Sequence, residues 1–172
     1  MLLHEALRVR AKDVVALTGG GGKTTLMFRL ADELVAAGHY VITTMTTHIF
    51  VGQMARAPGR LVLSGEGALL AQLPAALAEH HHVLIAGATV VEQDKAAGIP
   101  SDLIARVAAL HAVDVVIVEA DGSRRLPFKA PAAHEPVVPP AATLVVPVVG
   151  LKVIGQPLTP VHVHRPEIVA AL

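Results

Sequence analysis

The chain has 172 residues, a length typical of one domain that buries most of its apolar surface in a single core. Hydrophobic residues make up 53% and charged residues 16%, but the apolar runs are strand-length, which excludes a membrane span of about 20 residues. Lys plus Arg equal Asp plus Glu at 14 each, with three Phe, one Tyr and no Trp, so nucleic-acid binding is not expected. The lack of cysteine excludes disulfides and thiolate metal sites. Without a signal-peptide pattern, the chain is expected in the cytoplasm.

A glycine-rich segment follows the first apolar run. Residues 14–17 predict a buried strand, and the apolar spacing after residue 23 predicts a helix that ends at Gly38. Between them lie Gly19, Gly20, Gly21 and Gly22, and then Lys23, Thr24 and Thr25. Such a loop presents backbone N–H groups to phosphates, while the lysine reaches the β- and γ-phosphates and the first threonine hydroxyl binds Mg²⁺. The segment is therefore predicted to be a nucleotide-binding P-loop.

The spacing of this loop differs from the usual G-x-x-x-x-G-K-[ST] pattern. Leu17 stands six positions before Lys23, where that pattern has glycine. The shorter G-x-x-G-K-T form, from Gly19 to Thr24, resembles the compact loop of the Mur ligases and folylpolyglutamate synthases. The alternative is a strand-to-helix turn that contains Lys-Thr by chance.

Hydroxyl side chains follow the second predicted strand, residues 39–45. Four of the five residues from Thr43 to Thr47 are threonine. Because ligands bind beyond the carboxyl ends of parallel strands, these side chains could meet a γ-phosphate, Mg²⁺ or a second substrate. The alternative is the ordinary β-propensity of threonine. His48 is either a proton carrier or structural.

The middle of the chain predicts packing elements rather than chemistry. Strands are expected over residues 60–64 and 83–91, and helices over 68–79 and 101–110. His80, His81 and His82 are consecutive and do not share a helical face, so a solvated helix end is predicted instead of a metal site.

The most hydrophobic predicted strand, residues 113–118, ends in two acids. This is the Walker B pattern, whose carboxylate holds Mg²⁺ beside the P-loop hydroxyl. Glu119 occupies the usual acidic position, and Asp121 shares its strand face if the extended geometry continues. One acid is expected to bind Mg²⁺ and the other to orient water or a nucleophile. The alternative is a turn with two solvated acids.

Three cations follow these acids in the proline-rich segment 123–140, where no regular structure is predicted. Arg124, Arg125 and Lys129 are candidates for stabilising transferred charge or binding an anionic substrate. The alternative is a proline-stiffened surface connector. A further strand is expected over 142–149, and His162 and His164 are strand neighbours without a third metal ligand.

Four blocks of the sequence together resemble one known family. They are Thr18–Met27, Thr43–Ile49, Val118–Pro139 and Val148–Glu167. Over nearly the whole chain they are similar to the selenium-dependent hydroxylase accessory family YqeC. The 22-residue block from Val118 is the most specific of the four.

This resemblance implies a P-loop nucleotide-binding protein linked to maturation of selenium-containing molybdenum hydroxylases. Carried over by position, phosphates are bound by Gly19 to Thr25, and the site is lined by Glu119, Asp121, Arg124, Arg125 and Lys129. Family members continue past the H-R-P-E segment. The chain is therefore expected to be a single domain over residues 1–172, either a fragment or a shortened member lacking the last strand and helix.

The sequence predicts a three-layer α/β fold of the P-loop NTPase type, a mostly parallel sheet with helices on both faces. The predicted function is an ATP- or GTP-dependent, Mg²⁺-dependent accessory enzyme in which Lys23, Asp121, Arg124 and Arg125 act in phosphoryl transfer or hydrolysis. Thr24 with Glu119 or Asp121 would hold the metal. The expected partner is a molybdenum hydroxylase or an intermediate of its cofactor.

Two alternatives differ in the role of the loop. One is a nucleotide-gated chaperone or scaffold with little turnover. The other is a loop that holds a non-nucleotide anion such as selenophosphate or a cofactor phosphate. The chain has no asparagine and hence no guanine-reading N-K-x-D motif, which favours ATP over GTP.

Overall fold

A computed structural model describes residues 1–90 and 94–172 and contains a central sheet of six strands. In spatial order these are β10 (Leu144–Val148), β1 (Val14–Gly19), β8 (Val115–Glu119), β2 (Val41–Met45), β5 (His82–Ala86) and β4 (Gly59–Val62). Every neighbouring pair is parallel. The carboxyl ends of all six strands therefore meet at one edge, where open parallel sheets bind ligands.

Helices cover both faces of this sheet. The longer ones are α2 (Lys23–Ala36), α4 (Glu66–His80) and α5 (Ser101–Ala108), and the short ones are α1 (Leu3–Ala6), α3 (Val51–Met54) and α6 (Pro166–Ala170). Strand β1 shows why a helix layer forms on each face of the sheet. Val15 packs with α2, whereas Val14 packs with α4 and α5. Successive strand residues point to opposite faces, so an unbroken apolar strand needs helices on both sides. The predicted three-layer α/β fold is confirmed.

Two small sheets lie beyond the carboxyl edge. One is antiparallel, with β3 (His48–Phe50), β7 (Lys95–Ala97) and β6 (Thr89–Val90) in that order. The other pairs β9 (Phe128–Lys129) with β11 (Val163–His164) in parallel. A 3₁₀ turn spans Leu151–Val153. No helix in the described part of the chain is long and apolar enough to cross a membrane.

Two predictions about these segments are wrong. The strand expected over 83–91 ends at Ala86, and β6 belongs to the small antiparallel sheet; residue 91 lies outside the described residues. Gly87 separates them, since its N–H donates to Ala97 O at 2.8 Å and a Cβ there would lie 2.7 Å from Gly98 O. The segment 123–140 contains β9, because pairing with β11 supplies hydrogen bonds that local sequence does not predict.

The histidine run is solvated only in part. His81 is exposed and ends α4 in a left-handed conformation, whereas His82 begins β5, is 2% exposed and bonds to the Thr43 hydroxyl at 2.9 Å. The predicted solvated helix end is therefore wrong for His82. Burial lowers the pKa of His82 to about 4, although the charge of Asp32 opposes the shift.

His82 is expected to make the protein acid-sensitive. The unfolded chain takes up this proton near pH 6.5 and the folded chain only near pH 4, so stability falls as the pH falls through that window. The loss is roughly 3 kcal/mol for a shift of this size. Urea unfolding at pH 7 and pH 4.5 should show a smaller difference for His82→Gln than for the wild type.

The neighbouring His81→Gln variant is the matched control, because that side chain is exposed. It should keep the full acid sensitivity. Equal pH dependence in His82→Gln and wild-type protein would contradict the assignment.

Candidate functional site

The glycine loop between β1 and α2 divides into a packed half and an open half. The N–H of Gly19 donates to Asp121 Oδ2 at 2.9 Å, and the N–H of Gly20 donates to Val148 O at 2.8 Å. Gly21 and Gly22 instead line the large cavity described below. The loop predicted to offer all four glycines to an anion thus already uses two of their N–H groups within the fold.

Backbone conformation explains the glycines of the open half. Gly21 has φ +60° and Gly22, the residue before α2, has φ +100°. Side chains rarely adopt this left-handed region, so glycine is favoured at both positions. In the packed half, Gly20 needs space rather than a special dihedral angle, because a Cβ there would lie 2.8 Å from the Phe128 backbone.

Replacing Gly20 with alanine is expected to destabilise the protein by about 1–3 kcal/mol, because the added methyl overpacks a backbone contact between the loop and β9. Gly67→Ala in α4 is the control, since no atom lies within 4 Å of its Cβ position. There the helix should gain up to about 1 kcal/mol. Urea unfolding midpoints should therefore move in opposite directions, and a Gly20→Ala protein as stable as Gly67→Ala would contradict the contact.

The side chains after the loop meet the acids at the end of β8. The Thr24 hydroxyl donates to Glu119 Oε2 at 2.7 Å. Lys23 Nζ donates to the Gly19 carbonyl and lies 3.1 Å from Asp121 Oδ1 and 4.0 Å from Glu119 Oε1. The two sequence motifs, separated by about 95 residues, thus form one cluster.

Asp121 is the most enclosed member of this cluster. Its side chain is 2% exposed and lies between Lys23 and Lys129, with Lys129 Nζ 3.2 Å from Oδ2. Its Oδ1 has only the ion pair with Lys23 and no partner in hydrogen-bond geometry. One oxygen of a buried carboxylate is therefore satisfied by charge alone, which is uncommon in folded proteins.

A second ion-paired group continues from Lys129. Its ammonium donates to Glu135 Oε2 at 2.6 Å and to the Gly122 carbonyl at 2.8 Å. Arg165 also donates to Glu135 Oε2 at 2.6 Å. The family resemblance implies that Lys129 lines the site. Its side chain is instead fully buried beneath the site and does not line the cavity described below. A continuous series of ion-paired side chains thus runs through Lys23, Asp121, Lys129, Glu135 and Arg165.

The pKa values of the two glutamates at this site are shifted in opposite directions. Burial raises the pKa of Glu119, and Asp121 adds to the rise, although the Thr24 hydroxyl and Lys23 oppose it. Burial also acts to raise the pKa of Glu135, but hydrogen bonds and charges from Arg165 and Lys129 outweigh it and lower the pKa to about 2. Glu135 is therefore ionised at neutral pH and holds its two cations in place.

A cavity of about 870 Å³ opens over the cluster. It is lined by Gly21, Gly22, Lys23, Thr24, Thr25, Thr47, His48, Phe50, Gln53, Lys95, Glu119, Gly122, Ser123, Arg124, Arg125, Glu135, His164 and Arg165. This volume lies near the upper end of the roughly 300–1,000 Å³ typical of small-molecule sites. Five of the lining residues are Lys or Arg and two are Glu, so cations predominate.

Arg124 and Arg125 both lie on the wall of the cavity, and both adopt left-handed backbone conformations, with φ 52° and 63°. The Arg125 guanidinium lies 4.3 Å from the centroid of Phe50, and Lys95 Nζ lies 5.4 Å from the same ring. These contacts hold the loop after β8 against Phe50 of β3, which Lys95 of β7 also approaches, in the wall of the cavity.

The threonines predicted at the end of the second strand differ in whether they reach the cavity. Thr43 and Thr44 are buried in β2, where Thr44 donates to Ile85 O, and Thr46 donates to Val137 O. Only Thr47 of this threonine cluster lines the cavity, together with His48. No group of three or more His, Cys, Asp or Glu residues in the described ranges can hold a metal ion by itself.

Sequence reasoning missed Phe50, Lys95, Glu135 and Arg165 as members of the site. Lys95 and Phe50 reach it only because β7 pairs with β3. Glu135 and Arg165 stand in the H-E-P and H-R-P-E segments, and those two segments were the available signal.

The fold and site define a class: a three-layer α/β protein with a glycine loop, a lysine, a hydroxyl and two acids at the carboxyl edge of a parallel sheet. The family described as YqeC protein matches residues 15–167, and this chain belongs to the YqeC family. The predicted family is thus confirmed.

One relative illustrates the extent of the similarity. The uncharacterized protein YqeC of Escherichia coli (strain K12) is 35% identical over 154 residues, which is 88% of this chain and 57% of that protein. The chain spans little more than half the length of the curated relative it matches. No solved structure matches the chain.

Proposed function

We propose that this protein binds a nucleoside triphosphate with Mg²⁺ at the glycine loop and transfers its terminal phosphoryl group. The observation that carries the proposal is the 2.7 Å hydrogen bond from the Thr24 hydroxyl to Glu119, directly after a loop that opens to a cation-rich cavity. In phosphoryl-transfer sites a loop hydroxyl and a strand-end carboxylate hold the ion together.

The residues present fit Mg²⁺. This ion is usually held by one or two carboxylates together with waters and substrate phosphates, so no dedicated protein cage is needed. Thr24 and Glu119 would hold it, since Asp121 is already engaged by Gly19, Lys23 and Lys129. When bound, Mg²⁺ supplies neutralisation of the phosphate charge.

The protein's own residues supply the rest of the mechanism. Lys23 turns from Asp121 Oδ1 to the β- and γ-phosphates, and Asp121 keeps its bonds to Gly19 and Lys129. Arg125 and Arg124 neutralise the equatorial oxygens of the transferred group. The bond between the γ-phosphorus and the bridging oxygen breaks, the nucleoside diphosphate leaves with that electron pair, and an acceptor oxygen bonds to phosphorus as its proton passes to solvent water.

We also propose a biological setting from family membership and the sequence resemblance. The acceptor is then a molybdenum hydroxylase, an intermediate of its cofactor or water, in the maturation of selenium-dependent hydroxylases. Of the nucleotides, ATP is the expected one.

Thermal denaturation with Mg²⁺ and ATP, GTP, ADP or GDP tests binding. A ligand at 100 times its Kd adds about 2.7 kcal/mol to native stability. A rise in melting temperature that requires Mg²⁺ is the expected result, followed by phosphate release above background. No rise with any nucleotide would refute the proposal for this chain.

The nucleotide-gated scaffold is a second candidate, favoured by the series of paired charges. If Lys23 leaves Asp121 for a phosphate, the pairing of Lys129, Glu135 and Arg165 changes with it. Nucleotide would then reposition the 123–140 segment for a partner. Nucleotide-dependent protease protection of that segment, with phosphate release at background, would favour this candidate over the enzyme.

A further inference from the structure

A second cavity of about 340 Å³ adjoins the large one. Arg124, His164 and Arg165 line both cavities and form the junction between them. The rest of the second cavity is lined by Leu126, Pro160, Val163, Pro166 and Glu167. A cationic junction therefore connects the two cavities, and the smaller cavity has a mixed lining in which apolar side chains adjoin these cations and Glu167.

The electrostatic environment of the junction is positive. Among the described residues, no carboxylate lies within 4.0 Å of Arg124, whereas Arg165 is paired with Glu135. Burial lowers the pKa of His164, and the charges of Arg165, Arg124 and Lys129 lower it further against the opposing effect of Glu135. The junction thus favours an anion over a further cation.

The backbone at the junction is held in a sparsely populated conformation. Arg124 has φ 52° and Arg165 has φ 63°, both in the left-handed region. Each costs of order 1 kcal/mol or more for a residue with a side chain, and such strain concentrates at binding and catalytic sites. Two separate chain segments therefore adopt a costly conformation at the residues where they line both cavities.

We propose that the junction of Arg124, His164 and Arg165 binds the oxyanion group of a second small-molecule substrate, the rest of which occupies the second cavity. Guanidinium groups suit phosphate and carboxylate oxygens because they present paired N–H donors. The proposal rests on the proposed function, since phosphoryl transfer needs an acceptor beside the nucleotide. It places that acceptor next to Arg125 and the glycine loop rather than on a separate surface.

The test follows the His164 imidazole by nuclear magnetic resonance as the pH is varied. The full chain is measured with and without Mg²⁺ plus a non-hydrolysable triphosphate analogue, and in each case with and without sulfate at matched ionic strength in chloride. Sulfate is the probe because its charge stays constant over the titration. The His164 signal is identified by its loss in His164→Gln.

A bound anion favours the protonated imidazole, so sulfate should raise the pKa of His164 by about one unit. The rise should be lost in Arg124→Ala and in Arg124→Gly, the second of which adopts the left-handed conformation without strain. Arg8→Ala is the matched control, because Arg8 is exposed, has φ 55° and lies outside both cavities. It should keep the full rise. Acetate in place of sulfate tells a carboxylate site from a phosphate-type site.

The outcomes separate the two proposals. A sulfate effect that is absent, or equal in wild type and both Arg124 variants, overturns the junction site. Loss of the effect when the triphosphate analogue binds also overturns it, because the nucleotide then occupies the junction. If calorimetry finds no nucleotide binding but sulfate still raises the pKa of His164, the proposed function fails and the anion site stands.

Discussion

Replacing Lys23 with alanine is expected to lower the affinity for Mg²⁺ and ATP by at least about 100-fold. Two charge-assisted hydrogen bonds to phosphate oxygens are worth roughly 3 kcal/mol together, and each 1.4 kcal/mol is about tenfold in affinity. The side chain is 3% exposed and already directed to the carboxyl edge by Gly19 and Asp121. Isothermal titration calorimetry measures the effect.

The fold should survive this change, because Asp121 retains Gly19 and Lys129. Lys152→Ala is the control, since Lys152 is exposed and does not line the cavity. Its affinity should equal that of the wild type. A folded Lys23→Ala protein with unchanged affinity would rule out the glycine loop as the phosphate site.

The second large effect is on stability and concerns Asp121→Asn. Removing this charge leaves Lys23, which is 3% exposed, with only Glu119 Oε1 at 4.0 Å, whereas the fully buried Lys129 keeps its pair with Glu135. Breaking a buried ion pair from one side costs about 3–5 kcal/mol, because a charge remains buried and uncompensated. The urea unfolding midpoint should fall accordingly, and the exposed Asp102→Asn in α5 should stay within about 0.5 kcal/mol of wild type.

A double-mutant cycle tells the ion pair from mere packing. Lys129→Met removes one of the two buried cations that pair with Asp121. Asp121→Asn should therefore lower the free energy of unfolding by less in that background than it does alone. The coupling energy of such contacting residues is about 0.5–3 kcal/mol. Strictly additive losses would show that Asp121 acts through shape or through its bond to Gly19 alone.

The sheet and the meeting of the two motifs at its carboxyl edge were predictable because their signals are local. Unbroken apolar runs such as Val14 to Leu17 need burial on both faces, and the glycines after them permit a sharp turn into α2. Glu119 and Thr24 were expected together because each follows a strand or loop at the same sheet edge, and the structure places them 2.7 Å apart.

The wrong predictions for the environments of individual side chains have a different cause. Lys129 was assigned to the cavity wall, but pairing of β9 with β11 buries it between Asp121 and Glu135. His82 was assigned to a solvated helix end, but β5 begins there and takes it into the sheet. In both cases the environment of one side chain depends on a strand partner far away in the sequence.

The sequence alone determined the parallel α/β architecture, the family and the two motifs that meet at the sheet edge, since hydrophobic period, glycine spacing and acid placement are properties of short segments. Only the tertiary structure decided which charges are paired and which face a cavity. Lys129 and Arg124 lie five residues apart in the same proline-rich segment, yet one is buried in an ion-paired series and the other lines two cavities. That difference arises because long-range pairing, and not local composition, fixes the burial and charge of each side chain.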